Sequence, residues 1–461
     1  MKVEQIYTGC LAQGAYMISC NGEVAIIDPL REVAPYIEKA KAVGEIKYIF
    51  ETHFHADFVS GHLTLSEKTG APIIYGPLAN PSFDALIAQD GQEFPLGDCT
   101  IKVLHTPGHT MESTTYLLQD EAGRPHAIFS GDTLFLGDVG RPDLAQKAAD
   151  MTQEDLAGLL YESLRSKIMT LPDEVIVYPA HGAGSACGKN MSKETVDTLG
   201  NQKQMNYALR ADMSKEEFIA EVTDGLLPPP KYFPLNVKLN KEGYESIDSI
   251  VAQGTTPLSP EEFEQLAEQH QAIVLDVRHQ QDFIKSHVPR SIFIGLHGSF
   301  APWVGALIAD ISLPILLVVD EGKEEEAVTR LSRVGFDNTL GYLKGGVAAW
   351  AASGRATDEL ESVSPAVLKK AIADKDAVVF DVRKENEYNT AHLPDAHLTP
   401  LDFISDHYSE FPKDGKFYVH CAGGYRSVIA ASILKRRGYH NVIDVAGGFG
   451  AIRQEGLEIV S

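Results

Sequence analysis

The chain has 461 residues, which at about 150 residues per domain predicts roughly three domains. Its 40 Lys and Arg residues against 64 Asp and Glu residues give a formal net charge of −24, which opposes binding to nucleic acid and to anionic membranes. Hydrophobic residues at 44% and charged residues at 23% are ordinary for folded domains, so neither global disorder nor a membrane protein is indicated.

Targeting segments and cysteine pairs are not apparent in the sequence. The first twenty residues hold no apolar run of signal-peptide length, and no stretch reaches the ~18 apolar residues of a membrane span. We therefore expect a cytoplasmic protein. The cysteines, at positions 10, 20, 99, 187 and 421, form an odd, scattered set without a CxxC pair. That pattern disfavours a disulfide framework and a thiolate zinc site, so any functional cysteine is expected to be a free thiol.

The first 245 residues contain short apolar runs that end in His or Asp, which predict strands at 23–28, 47–53, 100–106, 126–132 and 174–181. Polar residues gathered at strand ends indicate a site on the rim of a sheet. The segment 226–240 carries four prolines and is expected to be an irregular arm that leads out of this domain. We place a linker at 246–257.

The remainder of the chain contains an internal repeat. Residues 272–289 match residues 377–394, and residues 343–350 match residues 445–452. Each copy has a strand, a helix-like segment, a second strand and a Gly-Gly turn, which is typical of a small α/β domain with a parallel sheet. The repeat predicts two domains, at 258–356 and 360–461.

Histidines and carboxylates at several of the predicted strand ends can converge on one metal ion. A single histidine is more often a surface or core residue, but separately spaced clusters make that interpretation improbable here. The clusters contribute His53, His55, Asp57, His109, Asp132 and His181.

The order of these motifs, HxHxD, TPGH, GD and a late histidine, resembles the metallo-β-lactamase superfamily over about residues 1–240. The resemblance implies an αββα sandwich. Dinuclear members use the histidine after the aspartate to bind a second metal, whereas this chain has Phe58, which has no lone pair to donate. One metal is therefore expected, and the resemblance implies its ligands, His53, His109 and Asp132, with His55, Asp57 and His181 orienting ligands or binding water.

The identity of the metal follows from its expected ligands. Two histidines and one carboxylate leave coordination positions open, which suits Fe(II) with O2 as co-substrate. Zinc takes the same ligands but would support hydrolysis only. We expect one Fe(II) per chain and keep zinc as the alternative.

A closer resemblance, carried by THFHADF, SGDTLF and GDVGRPDL, is to the persulfide dioxygenases. It implies that Arg141 lies at the mouth of the substrate site, where a guanidinium suits an anionic thiol carrier; a surface ion pair is the alternative. Cys187 and Cys20 are candidates for passing sulfur, with a buried inert thiol as the alternative for each. Cys10 and Cys99 are expected to be structural.

The second repeat copy places Cys421 after an apolar strand and before a helix. Backbone N–H groups, the helix dipole and Arg426 would together favour a thiolate and a bound oxyanion. The spacing is C-x4-R, one residue tighter than the C-x5-R of cysteine phosphatases.

This loop, together with the DVR strand and the Gly-Gly turn, resembles the rhodanese sulfurtransferases over residues 360–461. The resemblance implies that Cys421 carries a persulfide and that the loop residues Gly423, Gly424 and Tyr425 bind substrate. His420 is expected to pack rather than act as a base.

The first repeat copy has Asp320 and an acidic run at the corresponding strand end, and no cysteine lies between residues 188 and 420. This copy is therefore expected to be a degenerate rhodanese-like domain that serves as a spacer or docking module.

The whole chain thus resembles the persulfide dioxygenase–sulfurtransferase fusions of sulfide detoxification. It is expected to oxidise a low-molecular-weight thiol persulfide with O2 to thiol and sulfite, and then to transfer sulfur through Cys421 to give thiosulfate. The alternatives are a zinc thioester hydrolase resembling glyoxalase II with separate rhodanese activity, and a sensor that only binds sulfane sulfur. The thiol carrier is left open, and a homo-oligomer is expected.

Overall fold

A computed structural model describes residues 1–308, 310–375 and 377–461. Two compact units make up the described chain, one of residues 1–248 with 332–335 and the other of residues 249–331 with 336–461. The domain boundaries expected from the sequence at 245, 257 and 356–360 stay predictions.

Strands of the first unit form two six-stranded sheets, with the orders β1-β2-β3-β4-β5-β6 and β12-β11-β10-β9-β8-β7. The bounds are β1 Lys2–Thr8, β2 Gln13–Cys20, β3 Gly22–Ile27, β4 Gly44–Phe50, β5 Ile73–Tyr75, β6 Leu86–Ile87, β7 Glu93–Leu96, β8 Cys99–His105, β9 Thr114–Gln119, β10 Pro125–Gly131, β11 Ile176–Pro179 and β12 Asp197–Thr198. All five strands predicted from the sequence are confirmed.

Helices in and at the end of this unit are α1 Ala34–Lys41, α2 His62–Thr69, α3 Gln146–Ala149, α4 Gln153–Ser163, α5 Leu199–Met205, α6 Lys215–Thr223, α7 Phe233–Glu242 and α8 Ile247–Gly254. A π-helical turn, Leu164–Ile168, continues α4, and a 3₁₀ turn covers Tyr207–Leu209.

Three apolar clusters hold these elements together. Side chains of both sheets meet in a central core that contains Phe50 and Tyr116. The outer face of the first sheet packs against α1 and α2 through residues such as Tyr36, and the outer face of the second packs against α4 and α6 through residues such as Leu160 and Phe218. Burying both faces of each sheet yields the expected αββα sandwich.

The proline-rich segment 226–240 is partly regular, so the expectation of an irregular arm is wrong over its second half. Helix α7 begins at Phe233 and carries Pro234 in its first turn. The first N–H groups of a helix have no intrahelical partner, so a proline there loses no hydrogen bond. Helix α8 likewise occupies most of the expected linker.

Cys20, at the end of β2, is bonded to Cys99, at the start of β8. The expectation that Cys20 is a free thiol able to pass sulfur is therefore wrong. The two residues are 79 positions apart, and only the stacking of the two sheets brings them together. Cys10, Cys187 and Cys421 are free.

The second unit contains two five-stranded sheets of matching order, β13-β17-β16-β14-β15 and β18-β22-β21-β19-β20. Their strands are β13 Pro257–Leu258, β14 Ile273–Asp276, β15 Ile292–Phe293, β16 Ile315–Val318, β17 Thr339–Leu343, β18 Ser362–Val363, β19 Val378–Asp381, β20 His397–Leu398, β21 Phe417–His420 and β22 Val442–Val445. Every recorded pairing in both sheets is parallel.

Helices of this unit are α9 Pro260–His270, α10 Gln280–Lys285, α11 Phe300–Leu307, α12 Glu324–Ser332, α13 Gly346–Ala352, α14 Pro365–Ala373, α15 Glu385–Thr390, α16 Arg426–Arg436 and α17 Gly448–Gln454. Turns of 3₁₀ type cover Leu401–Asp406 and Tyr408–Glu410.

The two copies of the internal repeat contain the same Arg–Asp ion pair. Arg278 binds the carboxylate of Asp276 in one copy, and Arg383 binds that of Asp381 in the other, through the same guanidinium atoms. Both aspartates end the strand next to one edge of their sheet, β14 in the first copy and β19 in the second. The two copies therefore share one fold. Among the residues that the structure describes, no helix has the length and apolar character needed to cross a membrane.

Candidate metal centre and cysteine loop

Loops that follow β4, β8, β10 and β11 bring buried polar side chains together at one rim of the sandwich. Each of the six residues singled out from the sequence is at most 5% exposed: His53, His55, Asp57, His109, Asp132 and His181. Polar groups are rarely buried this deeply unless they bind one another or an ion.

Three of these side chains form the tightest cluster. The potential ligand atoms of His53, His109 and Asp132 all lie within 4.8 Å of one another. The Asp132 Oδ2 atom lies 3.4 Å from His109 Nε2 and 3.9 Å from His53 Nε2. Neither Asp132 carboxylate oxygen accepts a hydrogen bond from the described residues. A buried carboxylate facing two imidazoles without a donor is suited to holding a cation.

Hydrogen bonds fix which nitrogen of each imidazole is available to a metal. The Thr52 hydroxyl donates to Asp28 Oδ2, so it accepts from His53 Nδ1 at 3.0 Å. His109 Nδ1 donates to the Arg141 carbonyl oxygen at 2.8 Å. Both Nε2 lone pairs are thus directed toward the cluster. Burial and the neighbouring imidazoles hold the pKa of His53 well below its usual range, which keeps this ligand neutral.

His55 belongs to a second set, because one of its ligand atoms and those of Asp57 and His181 all lie within 4.8 Å of one another. Its Nε2 atom lies 3.1 Å from Asp28 Oδ1 and 3.5 Å from Glu51 Oε2. Burial alone would lower the pKa of His55, but the surrounding carboxylates raise it to about 9. His55 is therefore a buried cation behind the cluster. Sequence reasoning missed Asp28 and Glu51, although each is an acidic residue at the end of an apolar strand, which was the available signal.

Phe58 occupies the position where a dinuclear site would have its additional histidine ligand. The Phe58 side chain is fully buried, and its ring centroid lies 4.3 Å from that of His55. Asp57 and His181 nevertheless remain close, with Asp57 Oδ2 3.5 Å from His181 Nε2. Burial raises the pKa of Asp57.

In the second unit, β21 delivers Cys421 to a turn that runs into the N-terminus of α16. The Gly424 N–H donates to Cys421 Sγ at 3.1 Å, and Ser427 Oγ lies 3.6 Å from the same sulfur. Cys421 is buried, with Gly424 at a φ of 91°, a left-handed conformation that favours glycine. The loop therefore holds the sulfur against donors.

Both halves of the chain match known families. The model of the metallo-beta-lactamase superfamily matches residues 8–181, and that of the rhodanese-like domain matches residues 259–353 and 364–455. The persulfide dioxygenase ETHE1, mitochondrial, of Homo sapiens is 30% identical over 221 residues, covering 47% of this chain and 78% of the relative. The chain belongs to the metallo-β-lactamase superfamily. The expected fusion with two tandem rhodanese-like domains is confirmed.

Two further relatives complete the comparison. The crystal structure of a metallo-beta-lactamase from Staphylococcus aureus subsp. aureus COL has a TM-score of 0.65 and 31% identity, covering 75% of this chain and 99% of that chain. A hydroxyacylglutathione hydrolase of Rhizobium etli is 40% identical over 166 residues, covering 35% of this chain and 58% of the relative. The metallo-β-lactamase domain thus has relatives named for a dioxygenase and for a hydrolase.

Arg141 of the metallo-β-lactamase domain is buried. Its guanidinium forms a two-pronged ion pair with Asp143 and donates to the carbonyl oxygens of Ala186 and Leu227. The alternative weighed for this residue was a surface ion pair, whereas the observed pair is largely buried. Binding of a thiol carrier by Arg141 stays a prediction. Gly140, just before it, is required because a Cβ there would lie 2.0 Å from the Asp132 carbonyl oxygen.

Arg426 at the start of α16 is also paired. Its two terminal nitrogens donate to the two carboxylate oxygens of Glu387 at 2.6 and 2.8 Å. Glu387 is a residue that sequence reasoning missed, and nothing in the loop motif marks it. His420, which directly precedes Cys421, is buried and stacks on Phe449. Burial lowers the pKa of His420, which is in keeping with a packing role.

The degenerate domain touches the cysteine loop directly. The Tyr425 hydroxyl donates to the Gly295 carbonyl oxygen at 2.7 Å, and the Tyr425 ring packs edge-on against Phe293.

The strand register shows which residue of the first copy corresponds to Cys421. Asp276 pairs with Val318, and Asp381 pairs with His420. Val319, not Asp320 as expected, therefore stands at the position of Cys421, and its aliphatic side chain offers no nucleophile.

Proposed function

We propose that the chain couples oxidation of a low-molecular-weight thiol persulfide in its metallo-β-lactamase domain to sulfur transfer in its second rhodanese-like domain. The observation that carries the proposal is the buried set of His53, His109 and Asp132, with both imidazole Nε2 atoms free for one ion. A Cys421 loop built to hold a sulfur on the same chain supports the second half.

The ligand set fits a mononuclear Fe(II). Two neutral imidazoles and one carboxylate leave coordination positions open. When bound, Fe(II) would supply the redox chemistry and the open positions that O2 and a persulfide require. The chain contributes the fixed imidazole orientation, through Thr52 and the Arg141 carbonyl, and a deeply buried setting that excludes bulk water.

The first reaction balances as persulfide plus O2 plus water giving thiol plus sulfite plus two protons. The sulfur–sulfur bond of the persulfide breaks, the terminal sulfur is oxidised to sulfite, and O2 accepts the electrons. The sulfide-level sulfur leaves as the thiol of the carrier.

The second reaction uses the Cys421 sulfur as a nucleophile. It attacks the terminal sulfur of a second persulfide, which breaks the sulfur–sulfur bond and releases the carrier thiolate. Sulfite then attacks the terminal sulfur on Cys421, so that thiosulfate forms and the Cys421 thiolate returns. The Gly424 N–H, which already donates to Cys421 Sγ, would stabilise the thiolate at both stages.

A zinc-dependent thioester hydrolase is the second candidate. It is favoured by the 40% identity to a hydroxyacylglutathione hydrolase and by the fact that zinc takes the same ligands. Phe58 counts against a dinuclear hydrolytic centre, because it removes the histidine that would bind the second ion.

One experiment separates the two candidates. Protein purified without oxygen would be analysed for metal, then assayed for O2 uptake with glutathione persulfide and for hydrolysis of S-lactoylglutathione. The proposal expects about one Fe(II) per chain and O2 uptake that equals the summed yield of sulfite and thiosulfate. Hydrolysis of the thioester by zinc-loaded protein, without persulfide-dependent O2 uptake, would replace it with the hydrolase.

A further inference from the structure

Arg426, at the start of α16, directs its guanidinium to a carboxylate. Its two terminal nitrogens donate to the two carboxylate oxygens of Glu387, at 2.6 and 2.8 Å. The sulfur of the same loop has different neighbours. The Gly424 N–H donates to Cys421 Sγ at 3.1 Å, and Ser427 Oγ lies 3.6 Å from that sulfur. Neutral groups of the loop therefore hold the sulfur, while the guanidinium is occupied elsewhere.

Glu387 is fixed in place by its own helix. It lies in the first turn of α15, where its Oε2 atom also accepts the Lys384 N–H at 3.1 Å. The side chains of Glu387 and Arg426 are only 32% and 16% exposed. An ion pair that is two-pronged, partly shielded from water and anchored to the backbone persists better than an ordinary surface pair.

Glu387 is ionised at neutral pH. The hydrogen bonds from Arg426 hold the pKa of this carboxyl below its usual range, although burial acts in the opposite direction. Burial alone would lower the pKa of the guanidinium, but its neighbours Glu387, Cys421 and Asp402 raise it. The positive charge of Arg426 is therefore already compensated before any substrate binds.

The two classes of sulfur donor differ in their need for Arg426. When the Cys421 thiolate attacks thiosulfate, it forms a bond to the outer sulfur, the old sulfur–sulfur bond breaks, and sulfite leaves with the electron pair. The same attack on a thiol persulfide releases the carrier thiolate instead. The sulfonate end of thiosulfate is an oxyanion that suits a free guanidinium. The terminal sulfur of a persulfide has no oxygens, so the N–H groups of the loop are sufficient for its transfer.

Glu387 competes with any oxyanion for Arg426. The carboxylate belongs to the same chain, so its effective concentration at the guanidinium is high. A sulfonate must displace the two-pronged pair before it can bind Arg426, whereas a persulfide leaves the pair intact.

We propose that Glu387 determines the donor specificity of the Cys421 loop: by occupying Arg426, it favours thiol persulfides over thiosulfate as the source of sulfur. The inference rests on the proposed sulfur transfer through Cys421 and adds the class of donor. The same competition weakens binding of thiosulfate as a product and so speeds its release. Sulfite is bound less firmly too, but under the proposed function the same chain supplies it.

The test measures how readily each donor loads sulfur onto Cys421. The full-length chain, cleared of bound sulfur with cyanide, would be incubated without O2 at increasing concentrations of thiosulfate or glutathione persulfide. Peptide mass spectrometry would follow the gain of sulfur on Cys421. The wild type should reach half-saturation at a lower concentration of persulfide than of thiosulfate. Glu387→Gln keeps the side-chain size but removes the charge, so it should lower the half-saturating thiosulfate concentration about 10-fold and change that of persulfide less than about twofold.

Three further variants show whether Glu387 acts through Arg426. Glu385→Gln, at an exposed position of the same helix, is the matched control and should change neither donor. Glu387→Asp keeps the charge and should retain most of the preference for persulfide. The double variant Glu387→Gln with Arg426→Gln should lose the gain for thiosulfate, because no guanidinium remains to bind the sulfonate.

The outcomes separate this inference from the proposed function. Equal changes for both donors in Glu387→Gln, a gain for thiosulfate that survives in the double variant, or a wild-type preference for thiosulfate would overturn the inference and leave sulfur transfer by Cys421 in place. A wild-type chain that loads Cys421 from neither donor would overturn the proposed transfer and the inference together.

Discussion

The Tyr425 hydroxyl donates a hydrogen bond to the Gly295 carbonyl oxygen, joining the loop of Cys421 to the rhodanese-like domain that has no cysteine. Gly298 lies against the same ring, since a Cβ there would be 2.3 Å from Tyr425 Cζ. Arg330 holds this segment by donating to the Leu296 carbonyl oxygen at 2.7 Å. The degenerate domain thus contributes contacts to the loop, which is more specific than the spacer or docking module expected from the sequence.

Weakening this contact should slow sulfur transfer. Tyr425→Phe removes a hydrogen bond of about 0.5–1.5 kcal/mol, so kcat/KM for thiosulfate sulfurtransferase activity should fall about 2- to 10-fold. Gly298→Ala should cost more, because the tyrosine ring must move. Tyr342→Phe, in the same domain but away from the loop, is the matched control. Equal activity of all three variants would mean that the loop does not depend on the neighbouring domain.

Removing the Asp132 carboxylate should separate the two proposed activities. Asp132→Ala deletes a ligand of the metal cluster, so bound iron and persulfide-dependent O2 uptake should fall to background. Sulfur transfer by Cys421 should persist, because that loop belongs to the other unit. Both rates would be measured on one preparation whose fold is checked by circular dichroism. Loss of both activities in a folded variant would contradict separate sites.

The product should change when the loop nucleophile is lost. Cys421→Ser leaves the three metal ligands intact, so O2 uptake should continue, but a serine hydroxyl is a far poorer nucleophile toward sulfur than a thiolate. Thiosulfate should give way to free sulfite, quantified by thiol-alkylation chromatography at early times and equal O2 uptake. An unchanged thiosulfate yield would show that Cys421 does not carry the sulfur.

The hydroxyl of Thr52 should tune the metal ligand that it contacts. It lies between Asp28 and His53, so Thr52→Val removes the acceptor of the His53 Nδ1 proton while nearly preserving side-chain volume. Loss of such a supporting group typically costs about 10- to 100-fold in metal affinity. Competition with a chromophoric chelator measures the effect, and Thr64→Val, at a buried threonine of α2, is the control. Equal metal affinities in the two variants would show that the Thr52 hydroxyl does not support His53 as a ligand.

The degenerate domain should lose stability as the pH falls. Burial lowers the pKa of His287 to about 4, so between about pH 6.5 and 4 the unfolded state binds more protons than the folded state. Stability should therefore decline through this window, by on the order of 2–3 kcal/mol from this residue. Trp303 and Trp350, the chain's two tryptophans, both lie in this domain, so urea unfolding followed by tryptophan fluorescence reports on it. His287→Gln should flatten the decline; an unchanged slope would assign it to other groups.

The sequence alone was sufficient to predict the fold class and the clustering of the six candidate metal-site residues. Strand-end polar residues are local signals: Asp132 directly follows a short apolar run, which predicts a strand and is one in the structure. The repeat was equally plain, because Asp276 and Asp381 occupy matching places in copied segments. Such features depend on neighbours in the chain, so a linear pattern contains them.

Pairings between residues far apart in the chain were decided only by the tertiary structure. Cys20 and Cys99 meet because two sheets stack, and Cys187 reaches the metal cluster because the loop after β11 folds back over it. Tyr425 finds Gly295 across 130 residues. No periodicity or motif encodes these contacts, since each depends on how separate elements pack. The side-chain environments that follow from packing, such as the carboxylates around His55, are therefore decided at that level too.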